Sequence, residues 1–416
     1  MIKSRFGYTL LLYALLPRAL AHLLWRARRQ RAYLDHIAER FGRYAVATEQ
    51  PLIWVHAVSV GETRTAEPLI DALQRNYPHH RILLTHMTPT GRATGAALFK
   101  ERVLRCYLPY DFPFAAERFL EHFKPACGIL LETEIWPNLI HAARARSIPV
   151  YLVNARLSEK SFRQYQHFGR FAAVSLNELT GIAAQSNADA GRLKALGAAV
   201  VEVTGNLKFD SVPDAALVAQ GDAWRAAWGR SRPVLLLAST REGEEVLLVQ
   251  ALQNIAIPQL LTVIVPRHPQ RFDEVAALLE RHAVPFQRRS TGQAVAAQTR
   301  VVLGDSMGEM FAYYAACDVA VIGGSLLPFG AHNLIEACAV GRPVIIGPHT
   351  YNFAEATQFA VDAGAALRVD DARGAIAAAR ELMRDPARAQ RMAQAGLQFA
   401  QSHQGAADKI LGLVKF

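Results

Sequence analysis

What most limits the fold of this chain is a rhythm that runs twice. From residue 52, short apolar, β-prone runs alternate with longer helical stretches. LIWVHAVSV precedes a helix from Glu62, RILLTHMTPT one from about Gly91, and CGILLETE one opened by Pro137, with RCYLPY between; PVYLVNARL, GIAAQS and VEVTGNLKF follow. None of these runs alternates strictly between apolar and polar residues. Strands of that kind are covered on both faces, and when helices space them they imply a parallel sheet in an α/β fold. Between about Asp210 and Arg232 the strand signal lapses into SVPDAALVAQ and RAAWGRSRP, where a helix is expected and a proline precedes the next apolar run. The rhythm then restarts with VLLLAST, LLTVIVPRHPQRF, RVVLGD, DVAVIGGS and PVIIGP, and from about Asp371 it gives way to an alanine-rich helical stretch. The expectation is two Rossmann-like α/β domains facing an interdomain cleft, with ligands at the carboxyl ends of the strands. The expected division is residues 1–30 as an N-terminal anchor, 31–210 as the first domain, 211–232 as a linker and 233–416 as the second domain. Its last helix is expected to pack back on the first domain.

The segment before this pattern speaks of membrane. Residues 6–25 read FGYTLLLYALLPRALAHLLW and are followed by RARRQR. The uninterrupted apolar run is about a dozen residues, closed by Pro17 and Arg18, against the ~20 of a spanning helix. Lys3, Arg5 and the Ala19-Leu20-Ala21 triplet imitate a signal peptide. Arg18 before that triplet, and Arg26, Arg28, Arg29 and Arg31 after it, argue instead for an uncleaved interfacial or single-span anchor. Dense positive charge tends to stay on the cytoplasmic side, so the body is expected at the cytoplasmic face. A signal peptide and an ordinary buried helix remain the alternatives. The same arginines would attract anionic headgroups.

Charge and cysteine content narrow the partners. With 46 Lys and Arg against 36 Asp and Glu, the net charge is +10, which favours nucleic acid, an anionic membrane surface or a phosphorylated substrate without choosing among them. The basic residues are scattered, with no aromatic-interleaved patch, which speaks against nucleic acid. Cys106, Cys127, Cys317 and Cys338 form no C-x-x-C pair and lie among apolar or small residues, as reduced core cysteines do.

Neither G-x-G-x-x-G nor G-x-x-x-x-G-K-[ST] occurs, and no D-x-D or paired histidines suggest a metal-held diphosphate. What remains is a set of turns after the expected strands. In HAVSVGETRTAE, Glu62 falls in the first helical turn, where the dipole would keep it ionised. There it either complements the helix or serves as a base toward an attacking hydroxyl. In LLETEIWPNL, Glu132 and Glu134 would point to opposite sides if the strand persists, one inward and the other pairing. Lys208 of TGNLKFD either neutralises an anion or is solvated. In the second half, VPRHPQRF places Pro266, Arg267 and His268 after a strand. Ser306-x-x-Glu309 and Asn333-x-x-Glu336 fit capping boxes whose N–H groups could also hold an anion. Gly323-Gly324-Ser325 would let a phosphate approach the backbone closely.

In order, HAVSVGET, THMTPTGR, YLPYD, ETEIWPN, NARLS, TGNLKFD, STREGEE, VPRHPQRF, GDSMGEM, VIGGSL, HNLIEA and GPHTYNF resemble the strings of the 3-deoxy-D-manno-octulosonic acid (Kdo) transferases. The resemblance implies the GT-B glycosyltransferase fold and transfer of Kdo from CMP-Kdo to the lipid A precursor (lipid IVA) at the cytoplasmic face of the inner membrane, in lipopolysaccharide assembly. It implies Glu62 as proton acceptor, and Glu132 and Lys208 in transition-state stabilisation. The implied CMP contacts are Pro266, Arg267, Met307, Gly308, Glu309, Asn333, Leu334, Ile335 and Glu336, and no metal or other cofactor is expected. The family often has a second glycine before the His-Asn pair and a proline after it, where this chain has Ala331 and Leu334. Two other readings stand beside this one. One is a GT-B lipid or cell-wall glycosyltransferase using a UDP-sugar; the other is a non-catalytic basic protein that binds nucleic acid or membrane.

Overall fold

The structure, a computed structural model, describes residues 4–254 and 257–416. Residues 1–3 of the expected anchor, Lys3 among them, lie outside the described residues, as does the side chain of Arg29. The chain forms two compact units, one of Met1–Ser211 with His403–Phe416 and one of Val212–Ser402.

The first unit is built on seven parallel strands: β1 (Leu52–His56), β2 (Arg81–His86), β3 (Val103–Tyr107), β4 (Cys127–Leu131), β5 (Val150–Ala155), β6 (Gly181–Ala184) and β7 (Val201–Val203). Their order is β3-β2-β1-β4-β5-β6-β7, so the sheet runs outward both ways from the β1/β4 pair. Alternate residues of β1 feed two cores. Leu52 and Trp54 pack on one face with Leu83, Leu130 and Phe119, while Ile53 and Val55 pack on the other with Ile82, Ile129 and Leu69. That two-faced burial is why the run has no polar alternation. Trp54 donates its indole N–H to the Thr85 hydroxyl at 2.8 Å. Gly128 on β4 lies beneath the ring, where a Cβ would come within 2.6 Å of it.

The helix Ala406–Leu413 also belongs to this unit. It buries Ala406, Ala407 and Ile410 against the β1 side of the core. The Asp210 carboxylate accepts the backbone N–H groups of Gly405 (2.7 Å) and Ala407 (2.6 Å) at its start.

The expectation that Pro17 and Arg18 close the apolar segment is corrected. One helix runs through Pro17 from Arg5 to Arg29. Proline removes a single N–H from a helix interior, and a kink or neighbouring packing can absorb that loss. Tyr8, Leu12, Leu16 and Leu20 are half-buried and Leu23 and Ala27 buried, a stripe of i+3 and i+4 steps. Phe6, Leu10, Leu11, Leu24 and Trp25 are exposed. By length and composition Arg5–Arg28 could cross a membrane.

The second unit repeats the plan with β8 (Val234–Thr240), β9 (Leu261–Pro266), β10 (Phe286–Arg288), β11 (Val301–Leu303), β12 (Val319–Ile322), β13 (Val344–Ile346) and β14 (Ala366–Arg368). All are parallel, in the order β10-β11-β9-β8-β12-β13-β14. The stretch expected as a helix-bearing linker, 211–232, does hold a helix, Ala215–Trp228, and from Val212 onward it groups with this unit. Asp214 caps that helix, accepting the Ala216 N–H at 2.8 Å. At Gly221 a Cβ would sit 2.3 Å from the Ala312 carbonyl oxygen, so the missing side chain lets the helix Met310–Ala316 pack close. The four cysteines are buried and free.

Candidate active site

In the first unit, the carboxyl ends of β1 and β4 and the turn after β7 bring three of the expected residues together. Ser59 caps the six-residue helix Val60–Thr65, and Glu62 folds back onto the turn that precedes it. Its carboxylate accepts the Val58 N–H at 2.7 Å and the Ser59 hydroxyl at 3.0 Å. The capping reading is therefore satisfied, and it fixes where the carboxylate sits.

The expectation that the helix dipole keeps Glu62 ionised is corrected. Burial, opposed by the Val58 hydrogen bond and reinforced by the charges of Glu132 and Glu134, pushes its carboxyl from 4.5 to about 7. A helix of six residues has little dipole to set against desolvation and two like charges. The result is a carboxyl poised near neutrality, where a general base works best.

Strand β4 ends at Leu131, so Glu132 and Glu134 are not split across the sheet as expected. Glu132 takes φ +60°, a left-handed conformation that only a few per cent of non-glycine residues adopt, and donates its N–H to the Val153 carbonyl at 2.9 Å. Glu134 accepts the Trp136 indole N–H at 3.0 Å, with the His56 Nε2 at 3.8 Å. His56 is fully buried and its Nδ1 is 2.8 Å from the Thr85 hydroxyl.

Lys208 lies in the single turn Leu207–Asp210. Burial lowers its ammonium pKa, Glu132 and Glu62 oppose that, and Arg156 adds to it, so all four charges share one neighbourhood. Three anchors hold the turn. Asn154, fully buried at the end of β5 with φ +51°, accepts the Leu207 N–H at 3.0 Å. Asn206 accepts the Lys208 N–H at 3.0 Å, and Asp210 caps the helix Ala406–Leu413. Sequence reading quoted the NARLS string but gave Asn154 no role. The signal open to it was an asparagine at a strand end, a residue type that tolerates positive φ.

The second unit assembles a different set. Arg267, directly after β9, donates its backbone N–H to the Thr240 carbonyl at 3.0 Å. The His332 imidazole is held neutral, its pKa pushed down to about 3 by burial and by the charges of Arg267, Arg241 and His268. Those three charges thus bear on an imidazole that borders the Gly323-Gly324 turn. At Gly323 a Cβ would fall 2.4 Å from the Ser239 carbonyl oxygen, and Gly324, with φ +69°, lies against the His332 ring. Glu244, fully buried, accepts the N–H groups of Gly324 (2.7 Å), Leu326 (3.0 Å) and Arg241 (2.9 Å). It fixes the turn and the backbone of Arg241 at once. Sequence reading missed Arg241 and Glu244, because nothing in STREGEE distinguishes the buried clamp from its neighbours. Glu245 instead pairs with buried Arg271 at 2.6 Å, and Glu242 is exposed.

The remaining expected contacts divide. Met307 is exposed, and Gly308 adopts φ +86°. Glu309 is at the N-cap of Met310–Ala316 and accepts from Arg289 at 2.9 Å and from the Ser306 hydroxyl. Asn333 accepts the Ile335 N–H at 3.0 Å and donates to Glu336 at 3.1 Å. Leu334 and Ile335 turn their side chains into the core, so they can meet a ligand only through backbone. With helices of seven and five residues here, attraction for an anion rests on the arginines more than on the dipole. Among the described residues no group of three or more His, Cys, Asp or Glu is placed to hold a metal ion.

Comparison with known proteins accords with both halves. Residues 35–211 match the family model for 3-deoxy-D-manno-octulosonic-acid transferase, and residues 247–399 that for glycosyl transferases group 1. The 3-deoxy-D-manno-octulosonic acid transferase of Bordetella pertussis is 46% identical over 96% of this chain and 97% of its own length. That of Haemophilus influenzae is 38% identical over 99% and 98%. Among solved structures, the UDP-GlcNAc 2-epimerase of Neisseria meningitidis superimposes with a TM-score of 0.60 at 17% identity, covering 87% of this chain and 99% of that one. At that identity the likeness shows the two-domain GT-B-type fold alone, since such folds host many chemistries.

Proposed function

The chain belongs to the 3-deoxy-D-manno-octulosonic-acid transferase family, and from that premise we propose that it moves Kdo from CMP-Kdo to the lipid A precursor, lipid IVA, with inversion at the anomeric carbon. The observation that carries the mechanism is the Glu62 carboxyl at about 7, beside Glu132 and Lys208. In its ionised form Glu62 takes the proton of the acceptor hydroxyl. The freed oxygen pair bonds to the anomeric carbon, and the carbon–oxygen bond to CMP breaks with its electrons going to the phosphate. Val58 N–H and the Ser59 hydroxyl hold the carboxylate in one orientation throughout.

Glu132 stabilises positive charge as it develops on the sugar, and its charge helps keep Lys208 protonated. Lys208 in turn balances the negative charge of the donor. In the second unit, Arg267 and Arg241 beside the Gly323-Gly324 turn receive the cytidylate phosphate, with Met307-Gly308-Glu309 and Asn333 through Glu336 as further CMP contacts. Guanidinium groups and backbone N–H groups suit a monophosphate leaving group, and the reaction written this way calls on no metal. The exposed apolar face of Arg5–Arg29, flanked by arginine, would hold the protein to the cytoplasmic face of the inner membrane.

The test is to incubate the full chain with a CMP-Kdo generating system and lipid IVA, then weigh the product by mass spectrometry while measuring CMP. A product heavier by one or more Kdo residues, with matching CMP, is the expected result. Transfer from a UDP-sugar, or no transfer, would overturn the reading.

A further inference from the structure

Within the first unit lies a cavity of about 430 Å³. Protein interiors close-pack and keep few voids larger than a water molecule, whereas ligand pockets run from roughly 300 to 1,000 Å³. Leu157, Phe168, Phe171, Leu176, Leu193 and Leu196 supply its apolar wall, and among the described residues no charged side chain lines it. Such a lining rejects a nucleotide, a phosphate or a sugar and suits an aliphatic group. At ~30 Å³ for each water-sized group, the space holds on the order of a dozen methylenes in a row.

Two features say where such a chain would come from. Thr133 and Ile135 line the cavity, and they alternate along the backbone with Glu132 and Glu134. The Tyr165 hydroxyl, also in the wall, has its pKa raised by burial and then by the charge of Glu134. The cavity thus begins at the loop that carries the carboxylates. Another part of its wall is Tyr8, on the helix Arg5–Arg29, whose ring meets Phe171 at 5.7 Å and whose hydroxyl is bonded to Asp111. On that helix Phe6 and Leu10 are exposed by 80% and 61%. The cavity wall thus joins the loop of the carboxylates to the half-buried stripe of the helix Arg5–Arg29.

We propose that this cavity receives one acyl chain of the lipid acceptor, so that its depth and the side chains at its wall select the acyl length the protein will use. The inference rests on the acceptor reading given above. Ser161 and Gln164 are among the wall's polar side chains and could meet an ester or hydroxyl on that chain, whereas the Ser175 hydroxyl donates to the Phe171 carbonyl at 3.0 Å.

The experiment compares kcat/KM for lipid IVA and for its fully deacylated disaccharide bisphosphate, in the full-length protein and in Ala172→Phe. Ala172 lies in the wall on the helix Arg170–Asn177, so a phenyl ring there fills the space. The wild-type preference for the acylated acceptor is expected to shrink at least ten-fold in Ala172→Phe, mainly through KM, with the thermal midpoint retained. An undiminished preference in the folded variant overturns the proposal. Should Ala172→Phe fail to fold, wild-type protein is photolysed with lipid IVA bearing a diazirine near one acyl terminus. Label on Phe168–Leu176 or Leu193–Leu196 supports the cavity; label confined to the exposed face of Arg5–Arg29 overturns it. Failure of the wild type to release CMP with either acceptor would count against the proposed function instead, and the labelling would still read the cavity.

Discussion

The two units carry one sheet plan, seven parallel strands each, yet their strand ends are electrostatic opposites. Around β1, β4 and the turn after β7, three carboxylates face one ammonium and one guanidinium. Around β8, β9 and β12, the charges of Arg241, Arg267 and His268 bear on His332 beside a glycine turn, and the buried carboxylate of Glu244 is consumed by backbone N–H groups. The same architecture therefore gathers buried carboxylates in one unit and arginines beside a neutral histidine in the other. What distinguishes them is which side chains the turns present, and how far burial has moved their protonation.

The sharpest way to break that contrast is to remove the base. Glu62→Ala is expected to lower kcat by about 10²–10⁴-fold with lipid IVA, leaving the KM for CMP-Kdo close to wild type. Near-native turnover would sink the assignment.

A second test titrates the same group. Because the ionised carboxylate does the work, kcat/KM should fall about ten-fold per unit as pH drops below about 7. Stability should move the other way. A carboxyl raised from 4.5 to about 7 favours folding below 4.5, and that contribution is lost as pH rises through 7. Glu62→Gln should therefore unfold later than wild type at pH 8 and lose that advantage near pH 4, as thermal melts at the two values would show.

On the other lobe, Arg267→Ala should raise the KM for CMP-Kdo about ten-fold with little change in kcat, since a charged hydrogen bond contributes ~1.5–3 kcal/mol. A fall in kcat alone would mean that the arginine serves the reacting centre rather than the donor.

The smallest effect concerns backbone. Ala331 is buried at φ +66°, where glycine is at ease and alanine is strained by ~1–2 kcal/mol. After the entropic cost of glycine, Ala331→Gly should stabilise the second unit by about 0.5–1 kcal/mol, measured by denaturant unfolding.

Much of this was legible in the chain itself. Unalternating apolar runs announced buried parallel strands because both faces of each sheet are covered, as Trp54 and Val55 show on neighbouring positions of β1. Glu62, Glu132 and Lys208 could be singled out because they follow strands directly. The position of Ala331, where the resembling family has glycine, already pointed to an unusual turn. What stayed hidden depends on distant neighbours. The protonation of Glu62 is set by Glu132 and Glu134, some seventy residues away. Asn154 acts on a turn fifty-three residues later, and Glu244 on one eighty residues later. The continuity of a helix through Pro17 was missed because one proline removes a single N–H and need not end a helix.

The fold also has a consequence for synthesis. The turn bearing Lys208 ends at Asp210, which caps a helix that begins only at Ala406, so the second unit is inserted within the first. Translation must pass through all of Val212–Ser402 before the amino-terminal unit can acquire the helix Ala406–Leu413. In a nascent protein all of the second unit would thus be made before the Lys208 turn gains its anchor, a delay built into the order of the chain.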